Sequence, residues 1–201
     1  MLDAVARPLV DAVLDPAGRW LAHRGIAADH VTAAGFVLGL AAAAAIALGH
    51  AMIGLCLIAF NRLGDGLDGA IARATRPTDR GAFLDIALDF VFYAAIPLAF
   101  AIHDPDRNAL AAAVLIASFL VNGAAFLAFA AIAAKRGMTT SAQGAKSIYY
   151  IAGLAEGTET IAAFTVFCLW PAGFAWCAYA FAAICGVSAS ARLIIGWKTL
   201  A

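Results

Sequence analysis

The sequence predicts an all-α membrane protein with six transmembrane helices and an N-terminal amphipathic helix at the membrane interface. Of its 201 residues, 64% are hydrophobic and only 13% are charged, and the mean hydropathy is +0.90. Soluble domains are about 45–50% apolar and about 25% charged, so one soluble core cannot bury this much apolar surface. Thirteen basic and thirteen acidic residues cancel, which leaves no net charge to attract a nucleic acid.

The first thirty residues are predicted to form the interfacial helix and its lead-in. Apolar residues recur there at helical spacing with charged residues between them: Leu2, Val5, Leu9, Val13 and Trp20. Such a helix lies in the plane of the interface, and a short soluble helix packed on its own protein is the alternative. No linker separates residues 1–30 from the bundle predicted for residues 31–199, so we expect a single domain, 1–201.

Six segments approach the roughly 20 apolar residues, within a range of about 17–25, that a spanning helix needs. They are 31–49, 51–74, 81–103, 109–134, 147–170 and 172–197. Nearly all Lys and Arg residues fall on one side of the predicted bundle, and the other side holds only Arg107. The positive-inside rule therefore places both termini in the cytoplasm, with the bundle in the inner, cytoplasmic membrane.

Four aspartates lie inside the second and third predicted spans. Asp65 and Asp68 are three residues apart, and Asp85 and Asp89 are four apart, so each pair shares one helix face. One carboxylate at the bilayer centre costs about 2.5–3.5 kcal/mol on insertion scales. The two arginines of the second span cannot neutralise four carboxylates. A divalent cation is the natural partner, and hard oxygen ligands suit Mg²⁺ or Mn²⁺.

The depth of these aspartates points to chemistry near the lipid head groups. At about 1.5 Å per residue, Asp65 and Asp68 lie roughly 14 and 9 Å from the cytoplasmic end of the second span. Asp85 and Asp89 lie roughly 6 and 12 Å from the start of the third. All four are therefore expected in the cytoplasmic leaflet.

The stretch DGLDGAIARATRPTDRGAFLDIALD, residues 65–89, has eight residues at the fixed positions of a known signature. They are Asp65, Asp68, Gly69, Ala72, Arg73, Gly81, Asp85 and Asp89. This pattern, D-x2-D-G-x2-A-R, a spacer and G-x3-D-x3-D, resembles that of the CDP-alcohol phosphatidyltransferase family. The resemblance implies a membrane enzyme of phospholipid synthesis that transfers a phosphatidyl group from CDP-diacylglycerol to an alcohol and releases CMP.

The resemblance also implies roles for the motif residues. The four aspartates match the family's metal ligands, which hold two Mg²⁺ or Mn²⁺ ions, and Asp89 also matches the general base. The positions around the cytidine diphosphate of the donor are matched by Gly69, Ala72, Arg73 and Gly81. These roles suit phosphoryl transfer, in which charge neutralisation and alignment lower the barrier.

The acceptor pocket is expected beside the fifth and sixth spans, where polar residues remain at suitable depth: Lys146, Glu156, Glu159 and Arg192. The two basic residues would bind a phosphate-bearing acceptor through charge-assisted hydrogen bonds. This favours glycerol phosphate or phosphatidylglycerol, while inositol phosphate and serine stay open. The glutamates have an alternative structural role, as partners of hydroxyls or arginines. Arg62 either contacts the nucleotide or pairs with an acid, and pairing is favoured because buried charges need partners.

Three further alternatives follow from the sequence. The enzyme could instead transfer the head group of a CDP-amino-alcohol to diacylglycerol. A divalent-cation transporter would also use intramembrane acids, but it should spread them over both leaflets, and an arginine beside the path would repel the cargo. Asn122 and Gly123 predict close helix packing on the fourth span, and the seam of a homodimer is one place for it.

Overall fold

The computed structural model describes residues 2–138 and 155–201, with the backbone alone for residues 2–10. Within these residues the chain is all-helical. Seven α-helices follow one another, and a short 3₁₀ turn, Pro171–Gly173, separates the last two. The helices are α1 Leu2–His23, α2 Ala28–Ala47, α3 Ala51–Ala74, α4 Asp79–His103, α5 Pro105–Lys135, α6 Gly157–Leu169 and α7 Phe174–Leu200.

Most helix boundaries fall at the predicted breaks, and α3 matches the predicted 51–74 residue for residue. The predicted helix 147–170 differs. Its first eight residues lie outside the described part of the chain, and residues 155–156 are not helical. The helix begins at Gly157, where Glu156 and Glu159 form a reciprocal capping box. A continuous helix over 147–170 is therefore wrong, because two residues assigned to its interior form a helix start.

Four of the described helical segments are long and apolar enough to cross a membrane: Ala28–Ala47, Asp79–His103, Pro105–Lys135 and Pro171–Leu200. The described part of the chain thus fits a multi-pass membrane protein. Helix α3 has sufficient length, 24 residues, but carries the charged residues of the motif. Helix α6 has only 13 residues.

Glycines bring α2 and α3 into close contact. A Cβ added to Gly54 would lie 2.4 Å from Cγ1 of Ile46, and one added to Gly64 would lie 3.4 Å from Cα of Gly35. Small residues allow such approach where lipid offers no hydrophobic drive for helix association. Helix α2 also packs on α4, and α1 packs on α3. Helix α2 therefore lies against both helices that carry the aspartates of the motif.

An aromatic cluster fills the bundle beyond the acidic residues of α4. The rings of Phe92 and Phe164 meet edge to face with centroids 5.9 Å apart, and those of Phe100 and Phe174 stack at 4.5 Å. These buried rings pack α4, α6 and α7 against one another.

The predicted close packing at Asn122 and Gly123 occurs within the chain. A Cβ on Gly123 would lie 2.2 Å from Cε1 of Phe90 on α4, so only glycine fits against that ring. Asn122 is buried between α5 and α7, where its side chain meets Arg192. The dimer seam stays a prediction.

Candidate active site

All four predicted aspartates line one pocket, which opens where α2, α3 and α4 meet. Its wall also contains polar and apolar neighbours from the same helices. The lining residues are Thr32, Gly35, Phe36, Asn61, Arg62, Asp65, Asp68, Asp85, Leu88, Asp89 and Phe92. The pocket is therefore formed by side chains of three helices, α2, α3 and α4.

Three of the four carboxylates converge. One oxygen each from Asp65, Asp85 and Asp89 lies within 4.8 Å of the other two. Asp85 is exposed, whereas the side chains of Asp65 and Asp89 are 38% and 29% exposed. Three anionic oxygens this close repel one another unless a cation lies among them. Their number and hardness fit a divalent cation such as Mg²⁺ or Mn²⁺.

The fourth aspartate has a different environment. Asp68 is 7% exposed, and its Oδ2 accepts a hydrogen bond of 2.5 Å from the Thr32 hydroxyl of α2. This partner lies 36 residues away in the sequence. The hydrogen bond orients the Asp68 carboxylate on the pocket wall, one helical turn from Asp65.

Arg62 lines the pocket and pairs with two aspartates, so the prediction that it pairs with an acid is confirmed. Its Nη2 donates to Oδ1 of Asp89 at 2.9 Å, and its Nη1 lies 3.5 Å from Oδ2 of Asp65. The i,i+3 spacing to Asp65 is visible in the sequence, but Asp89 lies 27 residues away on another helix.

Arg73, the predicted donor-binding arginine, faces the N-terminal helix. Its Nη2 donates to Asp11 at 2.8 Å and to Asp15 at 2.7 Å, two residues one turn apart on α1. Its Nη1 lies against Gly69, 3.4 Å from where a Cβ would stand. No spacing in the sequence predicts these pairs, because 58 and 62 residues separate the partners.

The other predicted donor-binding residues lie outside the pocket wall. Gly81 donates its backbone N–H to Oγ1 of Thr78, the N-cap of α4. The Asp29 carboxylate also lies beside it, 3.3 Å from where a Cβ would stand, and pairs with Arg80. Ala72 is half-buried on α3. The structure thus brings the four aspartates together and leaves Gly69, Ala72, Arg73 and Gly81 on adjoining surfaces of α3 and α4.

The predicted acceptor residues lie in another part of the bundle. Arg192 is 7% exposed on α7, and its Nη1 donates to Oδ1 of Asn122 at 3.2 Å. Its Nε is buried, with no hydrogen-bond partner among the described residues. Glu159 accepts from the backbone N–H of Glu156 at 3.3 Å within the capping box. None of these three lines the aspartate pocket, and Lys146 lies outside the described residues.

The sequence model of the CDP-alcohol phosphatidyltransferase family matches residues 26–189. The chain therefore belongs to the CDP-alcohol phosphatidyltransferase family and is a membrane transferase of phospholipid biosynthesis. This family uses CDP-diacylglycerol with an alcohol acceptor. Nothing in the comparisons supports a divalent-cation transporter.

Individual relatives agree with this assignment. The chain is 46% identical over 200 residues to the inner membrane protein YnjF of Escherichia coli (strain K12), covering 100% of this chain and 97% of that protein. It is 40% identical over 84 residues to the archaetidylinositol phosphate synthase of Methanothermobacter thermautotrophicus, covering 41% and 42% of the two chains.

A solved structure shares the fold over most of the chain. The crystal structure of Mycobacterium tuberculosis phosphatidylinositol phosphate synthase with CDP-DAG bound aligns with a TM-score of 0.72 at 25% identity. The alignment covers 92% of this chain and 94% of that one. The same enzyme in complex with manganese and citrate aligns with a TM-score of 0.72 at 24% identity, covering 92% and 88%.

Proposed function

We propose that this protein transfers a phosphatidyl group from CDP-diacylglycerol to a phosphate-bearing alcohol and releases CMP. The observation that carries the proposal is the convergence of Asp65, Asp85 and Asp89, whose oxygens lie within 4.8 Å of one another. Such a cluster suits a reaction in which a diphosphate must be neutralised and aligned for displacement.

The metal site would be built from Asp65, Asp68, Asp85 and Asp89, holding two Mg²⁺ or Mn²⁺ ions. Bound ions would neutralise the charge of the diphosphate and of the departing CMP. The Thr32 hydroxyl keeps the Asp68 carboxylate fixed on the wall. Removal of any one carboxylate would therefore weaken ion binding as well as turnover.

Asp89 would act as the general base. Its carboxylate accepts a hydrogen bond of 2.9 Å from Nη2 of Arg62 on α3, which fixes its orientation. A fixed carboxylate at the inner part of the pocket can accept the proton of the acceptor hydroxyl while that hydroxyl attacks phosphorus.

The cytidine diphosphate of the donor would bind beside the aspartates, against Gly69, Ala72, Arg73 and Gly81. Glycines leave the backbone open to close approach by a ligand. The pairs to α1 occupy only Nη2 of Arg73, and a guanidinium has five N–H donors. Its remaining donors can serve phosphate oxygens, so the pairing with α1 is compatible with a donor-binding role.

The acceptor would bind through Arg192 and Lys146, with Glu156 and Glu159 nearby. The buried Nε of Arg192, without a described partner, suits a phosphate oxygen. The sequence favours glycerol phosphate or phosphatidylglycerol and leaves inositol phosphate open. The similarity to two inositol phospholipid synthases supports inositol phosphate as a third phosphate-bearing acceptor. A cationic amino alcohol would be repelled by Arg192.

We further propose a six-span topology in the inner membrane, with both termini in the cytoplasm and the active site in the cytoplasmic leaflet. Helix α1 would lie in the interface, and residues 1–201 would form one domain that can assemble as a homodimer. The name of the E. coli relative, an inner membrane protein, supports the choice of membrane. The charge-poor end that carries Arg107 supports the orientation.

The decisive experiment uses purified protein with labelled CDP-diacylglycerol, Mn²⁺ and a panel of acceptors. The panel contains glycerol phosphate, phosphatidylglycerol, inositol phosphate, serine and ethanolamine. We expect CMP and one new phospholipid with a phosphate-bearing acceptor, and no product in EDTA. The Asp85→Asn variant removes a converging carboxylate and should abolish product, whereas Asp106→Asn, on an exposed turn, should not. CMP release in EDTA would contradict the metal site, and product only from ethanolamine or serine would contradict the acceptor class.

The role of Asp89 has its own test. Asp89→Asn keeps the shape of the side chain but cannot accept a proton, so turnover should fall by about 10²–10⁴-fold. The affinity for the CDP-linked donor, measured by binding, should change less than turnover. A variant whose turnover stays within a few-fold of the wild type would show that another group accepts the proton.

A further inference from the structure

Arg62 is the one basic side chain in the described wall of the acidic pocket. Its two terminal nitrogens contact Asp89 at 2.9 Å and Asp65 at 3.5 Å. These aspartates are two of the three whose oxygens converge within 4.8 Å. The guanidinium therefore contacts the same pair of carboxylates that a divalent ion would need.

The guanidinium is held on three sides. Its Nε donates to Oδ1 of Asn61 at 2.8 Å, and the Asn61 amide in turn donates to the backbone carbonyl of Gly35 on α2. Its Cζ lies 4.8 Å from the ring centroid of Phe92 and 5.9 Å from that of Tyr93. The Arg62 side chain is only 19% exposed. It is therefore a fixed element of the site and differs from a mobile surface arginine.

We propose that Arg62 is a resident cation that competes with a divalent ion for Asp65 and Asp89. An ion at the exposed Asp85 end of the pocket can bind while the Arg62–Asp89 pair stays intact. An ion that binds both Asp65 and Asp89 must compete with Arg62, which contacts one oxygen of each. The two ions of the proposed site consequently bind with unequal affinity. Arg62 lowers the affinity of the more weakly bound ion.

The competition has a structural benefit for the protein. Half-buried carboxylates in a membrane helix bundle need a compensating charge. Arg62 supplies one from within the pocket wall, through its contacts with Asp65 and Asp89. This competition rests on the proposed metal site. It adds to the proposed ligands a residue that controls how tightly they bind the ions.

The test measures Mn²⁺ binding directly. Wild type, Arg62→Met and the control Arg107→Met are purified in detergent, freed of metal, and titrated with Mn²⁺ by calorimetry and electron paramagnetic resonance. Methionine can still pack on Phe92 and Tyr93, while Arg107 is an exposed arginine paired with Asp104. We expect two classes of site in the wild type and a weaker class that tightens about tenfold or more in Arg62→Met, within the range by which neighbours of metal ligands change affinity. Arg107→Met should match the wild type.

Equal or weaker Mn²⁺ binding by Arg62→Met would overturn the proposal. A second measurement needs no stable variant. In isotope-labelled wild-type protein, the Nε–H resonance of Arg62 should shift as diamagnetic Mg²⁺ fills the weaker site, because the ion displaces the guanidinium from Asp65 and Asp89. A resonance that does not move at saturating Mg²⁺ would also overturn it.

The outcomes separate this inference from the proposed function. If the wild type binds no Mn²⁺ and releases CMP in chelator, the metal site itself is wrong. If the wild type binds Mn²⁺, needs it for CMP release, and Arg62→Met leaves both affinities unchanged, only the competition by Arg62 is wrong.

Discussion

The four aspartates of the motif occupy three different environments, although they share one sequence pattern. Asp85 is exposed at the mouth, Asp65 and Asp89 share Arg62, and Asp68 is buried against Thr32. A buried carboxylate is costly unless its oxygens accept hydrogen bonds or bind a cation. The hydrogen bond from Thr32 thus reduces the cost of burying the Asp68 carboxylate, and Thr32 affects the site through Asp68.

Removal of the Thr32 hydroxyl tests this positioning role. Thr32→Val keeps the shape but leaves Asp68 without this donor, which costs about 1–3 kcal/mol for a buried polar group. We expect Mn²⁺ affinity to fall by about 10–100-fold, as is usual when a partner of a metal ligand is lost. Thr32→Ser keeps the hydroxyl and should restore most of the affinity. If the valine variant binds Mn²⁺ as tightly as the wild type, Thr32 has no positioning role at the metal site.

At the scale of the helices, the contact of α2 with α3 and α4 decides the geometry of the pocket. Gly39 of α2 faces the buried ring of Phe92, and a Cβ there would lie 2.8 Å from Cδ2 of the ring and 3.1 Å from Nδ2 of Asn61. Both neighbours contact Arg62. Gly35, one turn earlier, has more room, since its nearest non-local atom would lie 3.6 Å away.

The two glycines provide a matched pair of variants. Gly39→Ala should overpack the ring and destabilise the protein by about 1–3 kcal/mol, seen as a lower melting temperature in detergent. It should also weaken Mn²⁺ binding, because Phe92 and Asn61 would shift beneath Arg62. Gly35→Ala makes ordinary van der Waals contact and should melt close to the wild type. Equal melting of the two variants would contradict the close approach of α2 to α4.

Helix α1 is tied to the motif by charges and by a close contact. Arg73 pairs with Asp11 and Asp15, and a Cβ on Gly18 would lie 2.5 Å from Cβ of Ala70. Ion pairs this exposed contribute only about 0–1 kcal/mol, so the glycine contact is the stronger anchor. The pairs chiefly determine where the Arg73 guanidinium lies, which connects the N-terminal helix to the proposed donor site.

For the whole molecule, the orientation in the membrane follows from the uneven distribution of basic residues. The turn between α3 and α4 carries Arg76, the first turn of α4 carries Arg80, and both are expected on the cytoplasmic side. The turn between α4 and α5 is expected on the opposite side. The proposed site lies near the first of these turns, where a CDP-linked lipid in the cytoplasmic leaflet can reach it.

Cysteine labelling tests the orientation. In a background with the four natural cysteines replaced by alanine, single cysteines are placed at Thr78 and Asp106, both exposed. In intact spheroplasts an impermeant maleimide should label position 106 and not position 78, and both should be labelled after permeabilisation. The reverse pattern would place the aspartate pocket in the outer leaflet and contradict the proposed site.

Much of the fold was predictable because it depends on local properties of the chain. The apolar composition predicted a helical membrane protein, and the Gly, Pro and charged breaks predicted most helix ends. The 65–89 motif predicted the family. The start of α6 at Gly157 was not predicted, because apolar content alone extended one helix from residue 147 through this position, whereas Glu156 and Glu159 form a capping box there.

Helical periodicity and the cost of a buried charge are both local, so they place four carboxylates on two helix faces and predict a cation beside them. The pairs between helices are seen only in the folded chain. Thr32 lies 36 residues from Asp68, Arg62 lies 27 from Asp89, and Asp11 lies 62 from Arg73. These pairs depend on how each helix is rotated about its axis. That rotation is set by glycine contacts and aromatic packing between helices, which no spacing within one helix records.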